Sequence, residues 1–475
     1  MKSKRPTIIT ILSGGALLTD VCVYLFIALY TLAATLVSLH RFWQYEVFYY
    51  DFGIFDAAIW KVAHFKLPIV DHLVVGGKLI FADHFSPSMF LLSPIYWITS
   101  RPEALLIAQS LAVGLSALVL YALGKHVLKN PLAIFAVIVS YLLFVGTQNA
   151  LIADIHEVTF MMLPLMFIFY AIAADRKKLF WISFFITLGF KESSSLLGMG
   201  LAVYIYLYNR KWAKTALLVA CISALWGYLT TQVIIPYFYG QKYFYTPSLN
   251  PNPFVTLLTL FDDPIKRKTL LWSFTSFGFL PLLYPPAWPL ILQDIAARFM
   301  QKEFALRWGL GLHYSAQLAV IMAVSSVMAI RTISTRFRAP LVVTGISVLL
   351  ILVSVYLHQF KLHGPLGLSY NPAFYAHTKN FAFLNDLISR VPKGATVMAQ
   401  NNIAPHMIHT HDVYLLRESY SSFMPEYFVL DLRDGQNFND FFGARIDVLK
   451  ITLPKDTNYE VIYRTNDQMI YKRKK

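Results

Sequence analysis

Long apolar segments separated by short polar stretches occupy the chain up to about residue 360. A helix that crosses the hydrocarbon core of a bilayer needs about 20 consecutive apolar residues. Segments of about this length and character occur at 16–39, 104–123, 131–150, 158–174, 213–235, 314–330 and 340–357. The pattern therefore predicts an α-helical, polytopic membrane protein.

Two more apolar regions are interrupted. Residues 179–190 and 196–208 are each too short for a full span, and a polar turn at 191–193 separates them, which predicts a broken hairpin. Residues 270–297 contain four prolines, which lack the amide hydrogen that a helix interior needs and so predict a kinked pair. With these additions we expect about 11 transmembrane helices.

Basic residues set the predicted orientation. Short loops rich in Lys and Arg stay in the cytoplasm, and such clusters occur at 125–130, 175–178, 210–214 and 331–338. The basic residues that precede the first, uncleaved span place the N-terminus in the cytoplasm as well; they are Lys2, Lys4 and Arg5. Two long loops, 40–103 and 236–268, should then lie outside the cell.

The pattern changes near residue 362, where the transmembrane domain (1–362) ends. Residues 381–390 have helical spacing. Short apolar runs typical of strands follow at 396–399, 413–416, 427–430, 460–463 and 469–471. We therefore predict a small, soluble α/β domain over 371–475, on the extracytoplasmic side.

Composition agrees with a membrane protein. Hydrophobic residues make up 57% of the chain and charged residues 14%, with a mean hydropathy of +0.53, whereas soluble domains carry about 25% charged residues. The net charge of +15 comes from clusters between apolar segments, so no nucleic-acid partner is expected. Cys22 and Cys221 both lie in apolar stretches and support neither a disulfide framework nor a cysteine metal site.

Carboxylates in the first outer loop are the first candidates for chemistry. Asp51 and Asp56 follow the first span closely. A carboxylate at a membrane face can act as a general base or hold a divalent cation such as Mg²⁺ or Mn²⁺, and Asp51 is the possible metal ligand. The alternative is that Asp51 caps the following helix.

Titratable residues recur at two other outer positions. Asp83 and His84 are neighbours in the same loop and form either a ligand pair or a helix cap beside a surface histidine. Asp154, His156 and Glu157 lie at the outer end of the third span. They could share one site with the loops, or they could be the ordinary polar end of a helix.

The interrupted hairpin adds a buried charge. Lys191 could neutralise a phosphate, and Glu192 could orient it through a cation or hydrogen bonds, because polar turns at membrane depth are tolerated mainly where they line a cavity. A turn that satisfies itself is the alternative. His313 and Tyr314 open a later span from outside, as contacts to sugar or phosphate or as interfacial anchors.

These motifs resemble those of a prokaryotic membrane family, domain of unknown function 2079, whose members are similar to type C (GT-C) glycosyltransferases. The resemblance rests on the motifs at 51–56 with Trp60, 83–87, 154–157, 278–283 and 313–314. Two departures stand out: Ser193 replaces a second acid after Lys191 and Glu192, and no proline separates His156 from Glu157.

The resemblance implies a function. Asp51 would be the base or metal ligand of an enzyme that takes a sugar from a polyprenyl-phosphate donor and transfers it to a glycan, lipid or protein acceptor outside a prokaryotic cytoplasmic membrane. Asp56, Asp83 and His84 would assist, and Glu157 and Glu192 would position the donor. The rival classes are a transporter or lipid flippase, and a noncatalytic membrane scaffold. ATP-driven transport has little support because no Walker loop is present.

Overall fold

The structure is a computed structural model that describes residues 14–72, 77–246, 252–337, 340–433 and 446–474. The basic residues Lys2, Lys4 and Arg5 lie outside the described residues, as do parts of both predicted outer loops and of the C-terminal domain.

Helices form the part of the structure that precedes residue 362. They are α1 (Gly14–Trp43), α2 (Ile54–Ala63), α3 (Ile95–Ile98), α4 (Glu103–Val127), α5 (Pro131–Leu143), α6 (Val145–Ile152), α7 (Glu157–Phe160), α8 (Met162–Ala173), α9 (Lys177–Leu188), α10 (Ser194–Tyr208), α11 (Ala213–Tyr228), α12 (Ile235–Tyr239), α13 (Pro253–Leu258), α14 (Pro264–Ser276), α15 (Trp288–Phe299), α16 (Ala316–Phe337) and α17 (Pro340–Tyr356). The prediction of a polytopic helical protein is confirmed.

Several of these helices are long and apolar enough to cross a membrane. Within the described residues there are five such stretches: Thr19–Trp43, Glu103–Val127, Arg210–Tyr239, His313–Phe337 and Pro340–Lys361. The pair α5 and α6 is a sixth, bent by 49° at Phe144, whose ψ of 123° is not helical. Because α7 with α8 and α10 are shorter, the number of about 11 crossings stays a prediction.

Both interrupted regions are broken where the sequence predicted. Residues 189–193 separate α9 from α10. Between α14 and α15 the chain forms two short 3-10 turns, Leu280–Leu283 and Pro285–Ala287, because the prolines there cannot donate the hydrogen bonds of a continuous helix.

Polar contacts join the predicted cytoplasmic segments at one end of the helix bundle. A ring nitrogen of His126, at the end of α4, lies 3.0 Å from the carbonyl oxygen of Ala173, at the end of α8. The Trp212 indole, just before α11, donates a 2.8 Å hydrogen bond to Asp175, just before α9. Three of the basic clusters therefore lie together, as the charge rule requires of loops on one side.

A mixed sheet forms the C-terminal unit. Its strands are β3 (Thr396–Ala399), β4 (Asp412–Leu415), β5 (Tyr427–Asp431), β6 (Tyr459–Thr465) and β7 (Gln468–Arg473), after a two-stranded ladder of β1 (Ile69–Val70) and β2 (Lys78–Leu79) in the first outer loop. The sheet order is β4-β3-β5-β7-β6, with parallel pairing at β3 and antiparallel pairing at β7. The helices α18 (Pro372–His377), α19 (Ala382–Ser389) and α20 (Ile446–Thr452) accompany it.

The five strands predicted from the sequence are confirmed, as is a helix at 382–389. Leu384 and Leu387 of α19 are buried, and one continuous hydrophobic core contains them together with Phe42 and Phe52 of the membrane part. The C-terminal unit thus packs directly on the end of α1 and on the first outer loop. That it is soluble and lies outside the cell stays a prediction.

Candidate functional site

The loop that follows α1 holds Asp51 in an uncommon backbone conformation. Residues Tyr49–Gly53 form a wide turn, in which Asp51 has φ 83° and ψ −80°. Such a conformation costs a non-glycine residue about 1–3 kcal/mol and is concentrated at functional sites. Helix α2 begins after Gly53 with no side-chain cap, so Asp51 does not cap it.

Gly53 allows this turn to close. A Cβ atom at position 53 would lie 2.5 Å from Cδ2 of Tyr49, far inside van der Waals contact. The absence of a side chain at 53 therefore lets the Tyr49 ring, which is 2% exposed, fold over the turn.

Negative neighbours surround the Asp51 carboxyl. Burial, followed by the charges of Asp154 and Glu157, raises the pKa of Asp51 to about 8. Although 38% of the side-chain surface remains accessible, the surrounding protein atoms partly desolvate the carboxyl. The nearest imidazole is that of His156, whose Nε2 atom lies 3.5 Å from Oδ2 of Asp51.

The segment between α6 and α7 supplies these neighbours. Oδ2 of Asp154 accepts a 3.0 Å hydrogen bond from the Phe48 amide, and Oδ1 lies 4.0 Å from the Arg41 guanidinium. Burial raises the pKa of Asp154 to about 6. Burial also lowers the pKa of His156 to about 3, so its imidazole is neutral. The His156 ring stacks on that of His313.

The polar turn between α9 and α10 contacts the same group of residues. Lys191 donates to the Glu157 carboxylate, and Oε1 of Glu192 lies 2.9 Å from Nδ1 of His84 and 2.8 Å from the hydroxyl of Tyr243. Because these partners come from three distant segments, the turn does not satisfy itself. Burial opposes ionisation of Glu192, but the charge and hydrogen bond of His84 hold its pKa at about 2.

The side chains described so far form one charged cluster, which consists of Asp51, Asp154, His156, Glu157, Lys191 and Glu192. Asp83 and His84 join this cluster through the contact of His84 with Glu192. Oδ2 of Asp83 lies 3.2 Å from Nε2 of His72 and 3.7 Å from Nε2 of His84. Burial favours neutral His84, but the carboxylates of Asp83 and Glu192 outweigh it and raise the pKa of His84. The Asp83 and His84 pair is therefore a bridge between loop and hairpin, and not a helix cap beside a surface histidine.

A cavity of about 520 Å³ opens beside the cluster. One wall is polar and contains the side chains of His84, Lys191, Glu192, Arg307, His313 and Tyr314. Another wall comes from α10, α11 and α15 and includes Leu196 and Met199, which are 49% and 43% exposed. The cavity thus connects the charged cluster to the apolar outer face of the bundle.

Arg307 is the main cavity residue that the sequence analysis missed. Its guanidinium lies 4.3 Å from the ring centre of Phe304 and 5.8 Å from that of Tyr314. Arg298 of α15 donates 2.9 Å hydrogen bonds to the carbonyl oxygens of Arg307 and Gly309, which holds the loop in place. Arg298 and Asp294, an (i, i+4) charged pair in a largely apolar helix, were a signal that could have identified this wall.

Asp56 does not join the cluster. Its fully buried side chain on α2 accepts a hydrogen bond from the Tyr96 hydroxyl. Its Oδ2 atom lies 2.9 Å from Nε2 of His409 in the C-terminal unit. These contacts attach α2 to that unit, and they give no support to the predicted catalytic role of Asp56.

The described residues contain no preformed divalent-cation site with three protein ligands. Within them, no three His, Cys, Asp or Glu side chains are arranged to hold a metal ion. The carboxylates nearest Asp51 are already engaged, Asp154 with the Phe48 amide and Glu157 with Lys191. We therefore assign no step to Mg²⁺ or Mn²⁺ bound at Asp51.

Comparisons with known proteins identify the fold and the family. The crystal structure of ArnT from Cupriavidus metallidurans bound to undecaprenyl phosphate matches with a TM-score of 0.54 and 11% sequence identity, over 94% of this chain and 97% of that one. This similarity shows the fold, which is that of type C glycosyltransferases. No curated protein sequence matches the chain. The family described as "Predicted membrane protein (DUF2079)" matches residues 41–468, and the chain therefore belongs to this family.

Proposed function

We propose that this protein is a membrane glycosyltransferase that transfers a sugar from a polyprenyl-phosphate donor to an acceptor at the outer face of a prokaryotic cytoplasmic membrane. An acceptor hydroxyl attacks the anomeric carbon, the bond from that carbon to the phosphate oxygen breaks, and polyprenyl phosphate leaves. The proton of the acceptor passes to Asp51. The fold shared with ArnT, which was crystallised with undecaprenyl phosphate, supports this assignment.

The environment of Asp51 is the observation that carries the proposal. A general base works best when its pKa lies near the working pH, and the pKa of Asp51 is raised to about 8. The neutral His156 ring beside it can orient the carboxylate by a hydrogen bond without neutralising it.

The cavity walls suit a lipid-linked phosphate. Lys191 and Arg307 both line the cavity, and two cationic side chains can neutralise a phosphate. The exposed apolar side chains of Leu196 and Met199 lie at the other wall, where a polyprenyl chain could pass into the bilayer. A donor would then extend from the lipid to the charged cluster.

Proteoliposomes that contain a radiolabelled polyprenyl-phosphate sugar and a crude acceptor fraction test the proposal. We expect the wild type to release the sugar from its carrier, and Asp51→Asn to lower the rate by about 10²–10⁴-fold because the base is lost. Asp175→Asn, at the opposite end of the bundle, is the matched control and should retain activity.

Three outcomes would contradict parts of this proposal, the first the assigned base and the other two the enzymatic function. Full activity of Asp51→Asn would show that Asp51 is not the general base. Vectorial movement of the labelled lipid without bond cleavage indicates a flippase or transporter. Neither cleavage nor movement with any donor tested indicates a noncatalytic scaffold.

A further inference from the structure

A buried turn of the C-terminal unit lies against the loop that carries Asp51. The turn follows β3 and begins at Gln400, whose side chain is fully buried. Nε2 of Gln400 donates a 3.0 Å hydrogen bond to the carbonyl oxygen of Asp431, and Oε1 accepts from the Asp431 amide. Since Asp431 ends β5, the turn is fixed to the middle of the sheet.

Asn401, the next residue, holds the backbone just before Asp51. Its carbonyl oxygen accepts a 2.8 Å hydrogen bond from the Tyr49 amide. Its side-chain Oδ1 accepts a 2.9 Å bond from the Tyr50 amide. Two consecutive amides are thus bound by one residue that is only 3% exposed.

We propose that Asn401 is a positioning residue for Asp51, so that the C-terminal unit completes the active site. Asp51 has φ 83°, a conformation that persists only when surrounding contacts impose it. The two bonds to Asn401 fix the residues immediately before it. This inference rests on the proposed role of Asp51 as the base.

Other contacts attach the C-terminal unit to the loop that carries Asp51 and to the end of α1. Oδ2 of Asp71 accepts a 2.8 Å hydrogen bond from the Leu415 amide and forms an ion pair with Arg417. The His406 ring stacks on those of Phe42 and Tyr45, with ring centres 4.1 Å and 3.9 Å apart. The first outer loop and the end of α1 are thus attached to the sheet at several points.

Amide hydrogen exchange of the full-length protein in nanodiscs tests the positioning directly. Asn401→Ala should increase exchange at the amides of residues 49–53, because the Tyr50 amide loses its acceptor. Asn401→Asp keeps an acceptor oxygen and should restore protection. The control is Asn385→Ala, since Asn385 also joins the C-terminal unit to the membrane part, through the Tyr45 hydroxyl at 2.7 Å, but does not touch the Asp51 turn.

Sugar transfer by the same variants links this positioning to catalysis. Asn401→Ala should lower kcat by about 10- to 100-fold with a nearly unchanged KM for the donor, because small displacements of a reacting group carry losses of this size. The pH range over which the rate rises should also shift for Asn401→Ala. Asn385→Ala should match the wild type both in its kinetic constants and in its pH dependence.

Unchanged exchange at 49–53 in Asn401→Ala overturns the inference. Equal loss of activity in Asn385→Ala also overturns it, since it would reveal only a general loosening of the interface. If the wild type releases no sugar from any donor, the proposed function fails, while the exchange measurement still decides whether Asn401 holds the turn.

Discussion

At the scale of single residues, the ionisation of Asp51 makes transfer depend on pH. Only the ionised carboxylate accepts a proton, and its fraction grows as the pH rises through the pKa of about 8. We expect kcat/KM to increase with pH up to about this value and then to level off. A pH profile of transfer in proteoliposomes measures this, and a rate that falls between pH 6 and 8 would contradict it.

Asp154→Asn should move this profile to lower pH. The negative charge of Asp154 is, after burial, the largest cause of the raised pKa of Asp51, so its removal should lower that pKa. Asn keeps an oxygen for the Phe48 amide and tolerates the φ of 55° at this position. The comparison of the two profiles is the measurement, and an unmoved profile would show that Asp154 does not act on Asp51.

Substitutions in the buried pair of Lys191 and Glu157 should distinguish a role of Lys191 in stability from a role in phosphate binding. Lys191→Met leaves the Glu157 carboxylate, which is 1% exposed, without its cation, and breaking such a pair costs about 3–5 kcal/mol. The double variant Lys191→Met with Glu157→Gln should recover most of the thermal stability, measured in detergent, but not the binding of a polyprenyl phosphate. Normal lipid binding by the double variant would show that Lys191 does not bind the phosphate.

At the scale of elements, the turn at 49–53 should depend on its glycine. Gly53→Ala places a methyl group against the Tyr49 ring, so we expect a loss of activity and stability. Gly345→Ala in α17 adds a methyl group that would meet no atom within 4 Å apart from its chain neighbours and the backbone of its own helix, and it should be neutral or slightly stabilising. Thermal unfolding and sugar transfer of both variants check this, and equal behaviour of the two would exclude a special role of the turn.

Local patterns were enough to predict most elements. The prolines after Leu280 predicted the break between α14 and α15, and short apolar runs between polar stretches predicted β3 to β7. The bend at Phe144 was not predicted, because 131–150 reads as one continuous apolar segment. Its cause is the backbone of a single residue that carries no helix-breaking signal.

The candidate site was predictable only in part. Charges in apolar surroundings identified Lys191 and Glu192, whose isolation within the hairpin is visible in the sequence. Asn401 and Arg307 were missed because their roles arise from contacts with segments remote in the chain. Asp56 has the same sequence signal as Asp51, yet Tyr96 and His409 bind it away from the cavity.

At the scale of the whole molecule, the two ends of the bundle should face opposite sides of the membrane. In a Cys22→Ser, Cys221→Ser background, a membrane-impermeant maleimide should label Glu46→Cys, near the Asp51 loop, in intact cells. It should label Lys211→Cys, at the basic end, only after permeabilisation. Both positions are exposed, so access to the reagent decides the result. The reverse pattern would place the cavity in the cytoplasm and defeat the proposed function.

The contact between Tyr50 and Asn401 spans 351 positions of the chain, and this has a consequence for biosynthesis. Ribosomes add about 5–20 residues per second, so tens of seconds pass between the emergence of the two residues. Since β7 pairs with both β5 and β6, the sheet is complete only after residues 468–473 have been synthesised. In a nascent chain already inserted in the bilayer, the sheet that holds the Asp51 turn would therefore remain incomplete until β7 has been made.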